Sequence, residues 1–273
     1  MGFFSLFSQS LINEKYIFFD VETTGLFPLA DDKIIEIAMI KTEKGKIIDT
    51  INTIINPEKP IPEEASKINN ITNEMVKDQP AFTKEFGEKI IDFIEDATLI
   101  AHNAIFDISF LSVELGHVGI TFDRWKAIDT LKIANELFPG QKNRLSNLMR
   151  RYNILPEGEL HRALIDTDGL RKIFFEFLEE SIIRNNTIDQ LIKKFGFKGQ
   201  HVHKSIPAKI RESIIEKKTV SGSYKTREGK ILDISFFPIA PVWVDKKWYL
   251  LVEEKDTKNI LTLYCNNFIK IQN

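Results

Sequence analysis

Two carboxylates, Asp20 and Glu22, close an aromatic and aliphatic run at residues 16–19 that reads as a buried strand. Strand side chains alternate between faces, so both acids point the same way. Paired acids at the end of an apolar strand repel each other and are costly to desolvate alone. A divalent cation is the partner that such hard oxygen ligands suit. A strand acid beside a loop acid, both solvated, is the other reading of this D-x-E, and the pair alone does not separate the two. Further residues supply company. Asp107 lies just inside a helix that follows the apolar stretch 98–101, with Phe106 beside it to pack or stack. Asp166 lies on a later helix, and His161 sits at that helix's entry. Each alone has an ordinary use: Asp107 as a helix cap or dipole partner, Asp166 as a solvated acid.

The elements that must position these groups are legible from periodicity. Residues 16–21, 33–41 and 45–55 read as three strands in an antiparallel meander with a tight turn at 43–46. Pro60 and Pro62 mark an extended connection, and helices are expected at 62–68 and after Pro80. The apolar strand 98–101 runs into a helix carrying Phe110, Leu111 and Leu115 to Gly116. Further helices are expected at 129–138, 144–152 and 161–180. Asp129 is expected to cap its helix, and Asp168 to lie on another face than Asp166. Past residue 181 the texture changes. Residues 185–187 read as a linker ending in a helix cap, followed by helices at 188–195 and 206–216. Short strands are expected at 220–225, 230–237, 242–244, 248–253 and 260–264, the pattern of a small barrel.

Charge divides the chain in the same place. Residues 1–180 hold 20 Lys and Arg against 30 Asp and Glu; residues 181–273 hold 17 against 9. A basic module is a natural holder of nucleic acid. Lys193, Lys194, Lys198, Lys204, Lys209 and Arg211, with Lys217 and Lys218, could track phosphates without reading sequence. The single cysteine, Cys265, excludes an internal disulfide framework and fits a reducing cytoplasm. No apolar run is long enough to span a bilayer, so no membrane partner is expected. The apolar start, residues 1–7, lacks a signal-peptide flank and a myristoylation pattern, and reads as a tail that packs or docks on a protein. His201 and His203 have metal-like spacing without an acid or cysteine cluster beside them, and no metal is assigned to them.

The order of motifs carries a resemblance. FDVETTG, then AHNAIFDISFL about 80 residues on, then HRALIDTDGL about 55 further, resembles the DEDDh family of 3′–5′ exonucleases, and within it the proofreading epsilon subunits of bacterial DNA polymerase III. The resemblance covers about residues 14–180. It implies an α/β fold of RNase H type, a mixed five-stranded sheet with flanking helices. It implies that Asp20, Glu22, Asp107 and Asp166 hold two divalent ions, Mg²⁺ with Mn²⁺ as a substitute, and that His161 is the general base. It further implies substrate contacts at Thr23, Thr24, Gly25, Leu26, His102, Asn103 and Phe106. Asn69-Asn70 stands where such proteins often carry His-Gly, and is expected to shape a loop away from the acids. The expected substrate is the 3′ end of single-stranded or frayed DNA, the alternatives being RNA trimming or nucleic-acid sensing. A replication or repair protein is an expected partner. Trp248-Tyr249-Leu250, with Tyr224, Gly229 and residues 261–264, is similar to a WYL domain, which implies a small SH3-like barrel. The expected division is thus 1–180, a basic helical linker 181–218, and a small β-barrel-like domain 219–273.

Overall fold

The computed structural model describes residues 11–155, 162–199, 206–255 and 257–272. Strand β1 (Lys15–Thr23) lies near the middle of the first sheet. Its odd-numbered Ile17, Phe19 and Val21 enter one apolar core and its even-numbered Tyr16 and Phe18 another. A strand buried on both faces has the near-continuous apolar run seen here. Strands β2 (Ile34–Glu43) and β3 (Lys46–Ile54) continue from it antiparallel. Lys44 and Gly45, both at positive φ, make the two-residue turn between them. On the other side β4 (Thr98–Ala101) and β5 (Lys126–Asp129) run parallel to β1, and β6 (Gly196–Lys198) closes the row antiparallel. The order is β3-β2-β1-β4-β5-β6. The sheet therefore has six strands, not five. The sixth comes from the stretch expected to be a linker.

The helices are α1 (Glu63–Asn69), α2 (Asn73–Val76), α3 (Lys84–Ile94), α4 (Ala104–His117), α5 (Thr130–Leu137) and α6 (Leu145–Arg151). They continue with α7 (Ala163–Glu179), α8 (Ser181–Arg184), α9 (Ile188–Phe195) and α10 (Ala208–Glu216). Helix α7 covers one face of the sheet, Phe174 standing edge-on to Tyr16 and Phe18. Helices α3 and α4 cover the other. Thr187 and Gln190 form a reciprocal capping box at the start of α9, and Leu191, Ile192 and Phe195 anchor that helix in the core under α7. Among the described residues no helix is long and apolar enough to cross a membrane.

A second sheet holds β7 (Val220–Lys225), β8 (Ile231–Val244), β9 (Lys247–Glu254), β10 (Ile260–Tyr264) and β11 (Phe268–Gln272). All neighbours are antiparallel, in the order β10-β9-β8-β7-β11. Trp248, Leu250 and Val252 of β9 enter one apolar cluster, while Leu251 on the other face is buried with Val113 of α4 and Val242 of β8 and Tyr249 is half-exposed. The two strands expected at 230–237 and 242–244 are one strand, β8, with an irregularity between Pro238 and Ala240. The prolines are tolerated because β7 pairs with β8 only as far as Phe236, leaving one edge free beyond it.

Helix α4 joins the two sheets. Every residue from Asp107 to Gly116 is buried, as expected of a helix held between two layers. Ser112 Oγ accepts from the Trp243 N–H at 2.8 Å and Ser109 Oγ from the Asp245 N–H at 3.2 Å. Gly116 lies so close to β8 that a Cβ there would stand 2.2 Å from Val242 Cγ1.

Candidate active site

Asp20 and Glu22 continue the even-numbered row of β1, so they emerge beneath the first turn of α7, which carries Asp166. Asp20, Glu22 and Asp166 each offer a carboxylate oxygen, and these oxygens all lie within 4.8 Å of one another. Asp107 arrives from the opposite face, in the first turn of α4. The pairing of β1 with β4 ends at Phe18, which leaves the Val21 N–H without a strand partner. Asp107 Oδ1 takes that N–H at 3.3 Å, so the strand end itself sets the acid's position.

Burial and mutual repulsion dominate the electrostatics. Burial, then the charges of Asp107, Glu22 and Asp166, push Asp20 far above the usual carboxylate range. Burial, then Asp166 and Glu36, push Glu22 up to about 8, with Arg162 opposing. Burial pushes Asp107 to about 8 against the two backbone N–H groups that lower it. Acids crowded into low dielectric in this way hold protons instead of charge unless a cation joins them. A set of convergent carboxylates and no softer ligand fits hard divalent cations. Asp20, Glu22 and Asp166, with Asp107 adjoining, are the residues that could hold them.

A fifth acid belongs to this site and was not anticipated from the sequence. Glu36, on β2 directly across from Glu22, is 1% exposed. Its carboxylate accepts from Arg162 Nη2 at 2.8 Å and Nε at 3.1 Å, and from the Ala163 N–H at 3.0 Å. It thus fixes the first turn of α7 and the residues on either side of it. Only a glutamate inside the apolar run IIEIAMI hints at this, and a strand acid has no local mark of its partner.

The expected substrate residues divide. Thr23 Oγ1 donates to the Gly25 carbonyl at 2.6 Å, and Thr24 Oγ1 donates to Asp32 and accepts from the Lys33 N–H. Both threonines are buried, and their side chains shape the loop from within. Gly25 leaves room for the Asp32 carboxylate, which a Cβ would meet at 2.3 Å. That carboxylate also takes the Phe27 N–H at 3.0 Å. The loop so tied holds Leu26 and Phe27 outward, 68% and 67% exposed. His102 is pinned by Thr130: the hydroxyl donates to the Ala101 carbonyl, so His102 Nδ1 donates to the hydroxyl at 3.0 Å. Asn103 stands at a φ of 77° and its N–H goes to Asp129 Oδ1 at 2.9 Å. Asp129 also caps α5 through the Leu131 N–H. Phe106 packs on Phe110 at the rim. Asp168 is paired with Arg171 and Lys172 on its own helix.

Two expectations change on contact with the geometry. Asn69 does not lie away from the acids: its buried side chain donates to the Thr23 carbonyl at 3.4 Å and accepts from the Ile71 N–H, bracing the strand end. Of the basic residues, Lys194 is paired with Glu136 and Lys198 with Asp189. Lys193 sits on α9, Lys209 and Arg211 on α10. His161, Lys204, His201, His203 and the apolar start lie outside the described residues.

The exonuclease family RNase_T matches residues 17–174. Among curated relatives, the DNA polymerase III subunit epsilon of Rickettsia typhi is 34% identical over 220 residues, covering 78% of this chain and 94% of that one. The PolC-type DNA polymerase III of Bacillus cereus is 36% identical over 172 residues, covering 63% of this chain but 12% of its own length. The chain therefore spans only about an eighth of the PolC-type polymerases it matches. Exonuclease X in complex with 5′ overhanging duplex DNA superposes with a TM-score of 0.52 at 28% identity, covering 67% of this chain and 99% of that one. The family match ends before the second sheet.

Proposed function

The chain belongs to the RNase_T exonuclease family, and from that premise we propose that it removes nucleoside monophosphates from the 3′ end of single-stranded or frayed DNA. The observation that carries this reading is the convergence of Asp20, Glu22 and Asp166 on one point, with Asp107 held beside them by the Val21 N–H. These four acids would hold two divalent ions, Mg²⁺ in the cell and Mn²⁺ as a substitute. Bound there, such ions offset the negative charge that builds at the scissile phosphate and on the leaving 3′ oxygen. His161 takes the proton of the attacking water, a role that suits an imidazole near neutral pH. Glu36 and Arg162 hold the α7 start that carries Asp166. Leu26, Asn103 and Phe106 line the approach and seat the terminal nucleotide. The basic stretch supplies phosphate contacts through those lysines not paired within the chain. The catalytic module extends past the expected boundary at 180 to take in α9 and β6, and residues 219–273 serve as a WYL-like module, the enzyme working in the cytoplasm beside a replication or repair protein.

The test is digestion of end-labelled single-stranded DNA and RNA of matched sequence, with Mg²⁺ and with chelator, by wild type and Asp20→Ala. A metal-dependent ladder from the 3′ end of DNA, absent in the variant, supports the reading. A ladder on RNA alone moves the substrate to RNA. Cleavage of neither removes the enzymatic reading.

A further inference from the structure

A cleft of about 610 Å³ opens beside the acids, and its far wall belongs to the second sheet. The near wall is Leu26 and Phe27 of the loop after β1, with Asn103 and Phe106 at the start of α4. The far wall is Arg227 in the β7–β8 turn, Asp245 in the β8–β9 turn, and Tyr249 on β9. We infer that the second sheet completes the substrate site: Tyr249 and Arg227 hold the nucleotides just upstream of the 3′-terminal one in a single DNA strand. This rests on the exonuclease reading given above.

Four observations carry it. The cleft is continuous with the site already described, since Phe106 adjoins Asp107 and Leu26 follows the Glu22 strand end by four residues. Its walls are fixed. Asp32 ties the 24–27 loop, Ser109 and Ser112 tie β8 to α4, and Leu29 packs against Val113, Val242, Val244 and Leu251. A preformed cleft loses less on binding than one that must order itself. Its size lies within the ~300–1,000 Å³ of sites that take small organic groups. Finally, its chemistry suits a strand of nucleotides. Large apolar side chains held in solvent on a rigid loop face an aromatic ring, and every base offers a π-face to such surfaces. Tyr249 is braced by Tyr264 of β10, the two rings tilted at 43° with centroids 5.3 Å apart, and it lines the cleft where a base can reach it. Arg227 is exposed, lies near enough to Tyr249 to act on its phenol, and supplies one positive charge for a phosphate. Asp245 is the opposing charge, so the phosphates pass on the Arg227 side. A duplex would present phosphates rather than base faces to these rings; a single strand presents both.

The experiment compares two substrates. The 4-nitrophenyl ester of thymidine 5′-monophosphate fills only the terminal position, while a single-stranded oligothymidylate reaches the cleft. The expected result is that Tyr249→Ala and Arg227→Ala each lower the ratio of kcat/KM on the oligonucleotide to that on the ester by about tenfold, in line with the loss of one stacked base. Tyr249→Phe, which keeps the ring, retains the ratio. A parallel fall on both substrates, or no fall on either, overturns the inference. If wild type hydrolyses neither, the exonuclease reading fails separately. The cleft is then judged by anisotropy of a fluorescein-labelled oligothymidylate, which Tyr249→Ala/Arg227→Ala weakens about tenfold if the cleft holds the strand. Unchanged binding overturns it.

Discussion

Removing Glu36 tests whether the clustered acids Asp20, Glu22 and Asp166 are placed by a neighbouring acid that is tied up in its own ion pair. Its carboxylate makes three hydrogen bonds, two to the Arg162 guanidinium and one to the Ala163 N–H, and is 1% exposed. Glu36→Ala removes these three hydrogen bonds from the guanidinium and the helix-start N–H. Breaking a fully buried pair from one side costs about 3–5 kcal/mol. The Arg162 side chain is 32% exposed, so water takes over part of its solvation. The expected loss is therefore about 2–3 kcal/mol, a fall of roughly 3–6 °C in Tm for a chain of this size. Glu36→Gln keeps one acceptor oxygen and should lose about half as much. The kinetic effect is the sharper test. A shift of about 1 Å in the α7 start displaces Asp166 and costs about 100-fold in kcat with KM little changed. Thermal unfolding by circular dichroism and steady-state digestion of labelled DNA read the two effects. A Glu36→Ala protein with wild-type Tm and wild-type kcat would refute the reasoning, because the pair would then be decoration.

Three other perturbations follow from the same geometry. Burial holds Glu22 and Asp107 protonated up to about 8, so the metal-free protein loses stability as pH rises from the ordinary carboxylate range through that value; Tm of chelator-treated protein should fall between pH 5 and 8, Mn²⁺ should restore it at pH 8, and a flat profile would count against the acid cluster. Asp107→Asn keeps the acceptor for Val21 and removes one of the repelling charges, so it should abolish cleavage yet raise the metal-free Tm at pH 8, by about 1–3 kcal/mol in stability. Gly116→Val drives a side chain into Val242 and should lower stability by at least about 2 kcal/mol in urea unfolding; an unperturbed midpoint would mean that the second sheet does not lean on α4.

The acids were legible because chemistry restricts their type and strand alternation restricts their direction. Asp20 and Glu22 needed only period two, and Asp107 and Asp166 were marked by the motifs around them. Glu36 was not legible, because its guanidinium partner lies 126 positions away and an acid inside IIEIAMI reads as a solvated strand residue. Strands β5, β6 and β11 were missed for another reason. Four residues at 126–129 merge into the helix pattern that follows and β6 has only three, so neither has room to show a period, while the five residues of β11 are a strand because they pair with β7 across more than 40 positions. The expected strands 230–237 and 242–244 are separated by a stretch that holds Pro238 and Pro241, residues without the N–H a central strand needs. The break is absent because the local pairing is one-sided, a fact of tertiary context.

The distribution of charge argues for how the strand is held. An acidic half that gathers cations also repels a phosphate backbone, and composition points to the basic half as the remedy. Yet Lys194 and Lys198 face Glu136 and Asp189, so part of that positive charge is already answered within the chain. Exposed pairs of this kind contribute little to stability, about 0–1 kcal/mol each, but they do reduce the field available to a ligand. If the cleft of the second sheet holds the strand as inferred above, grip on a substrate comes more from base faces than from the phosphate contacts that the remaining lysines supply. The groups suited to that are Leu26, Phe27, Phe106 and Tyr249, brought to one cleft because α4 carries Asp107 at its start and the second sheet along its length. An enzyme that grips this way should lose affinity only gently with salt. The slope of log affinity against log salt for oligothymidylate should correspond to about one or two phosphates, not to the full basic count. A slope of four or more would return the lysines of residues 181–218 to the centre of binding.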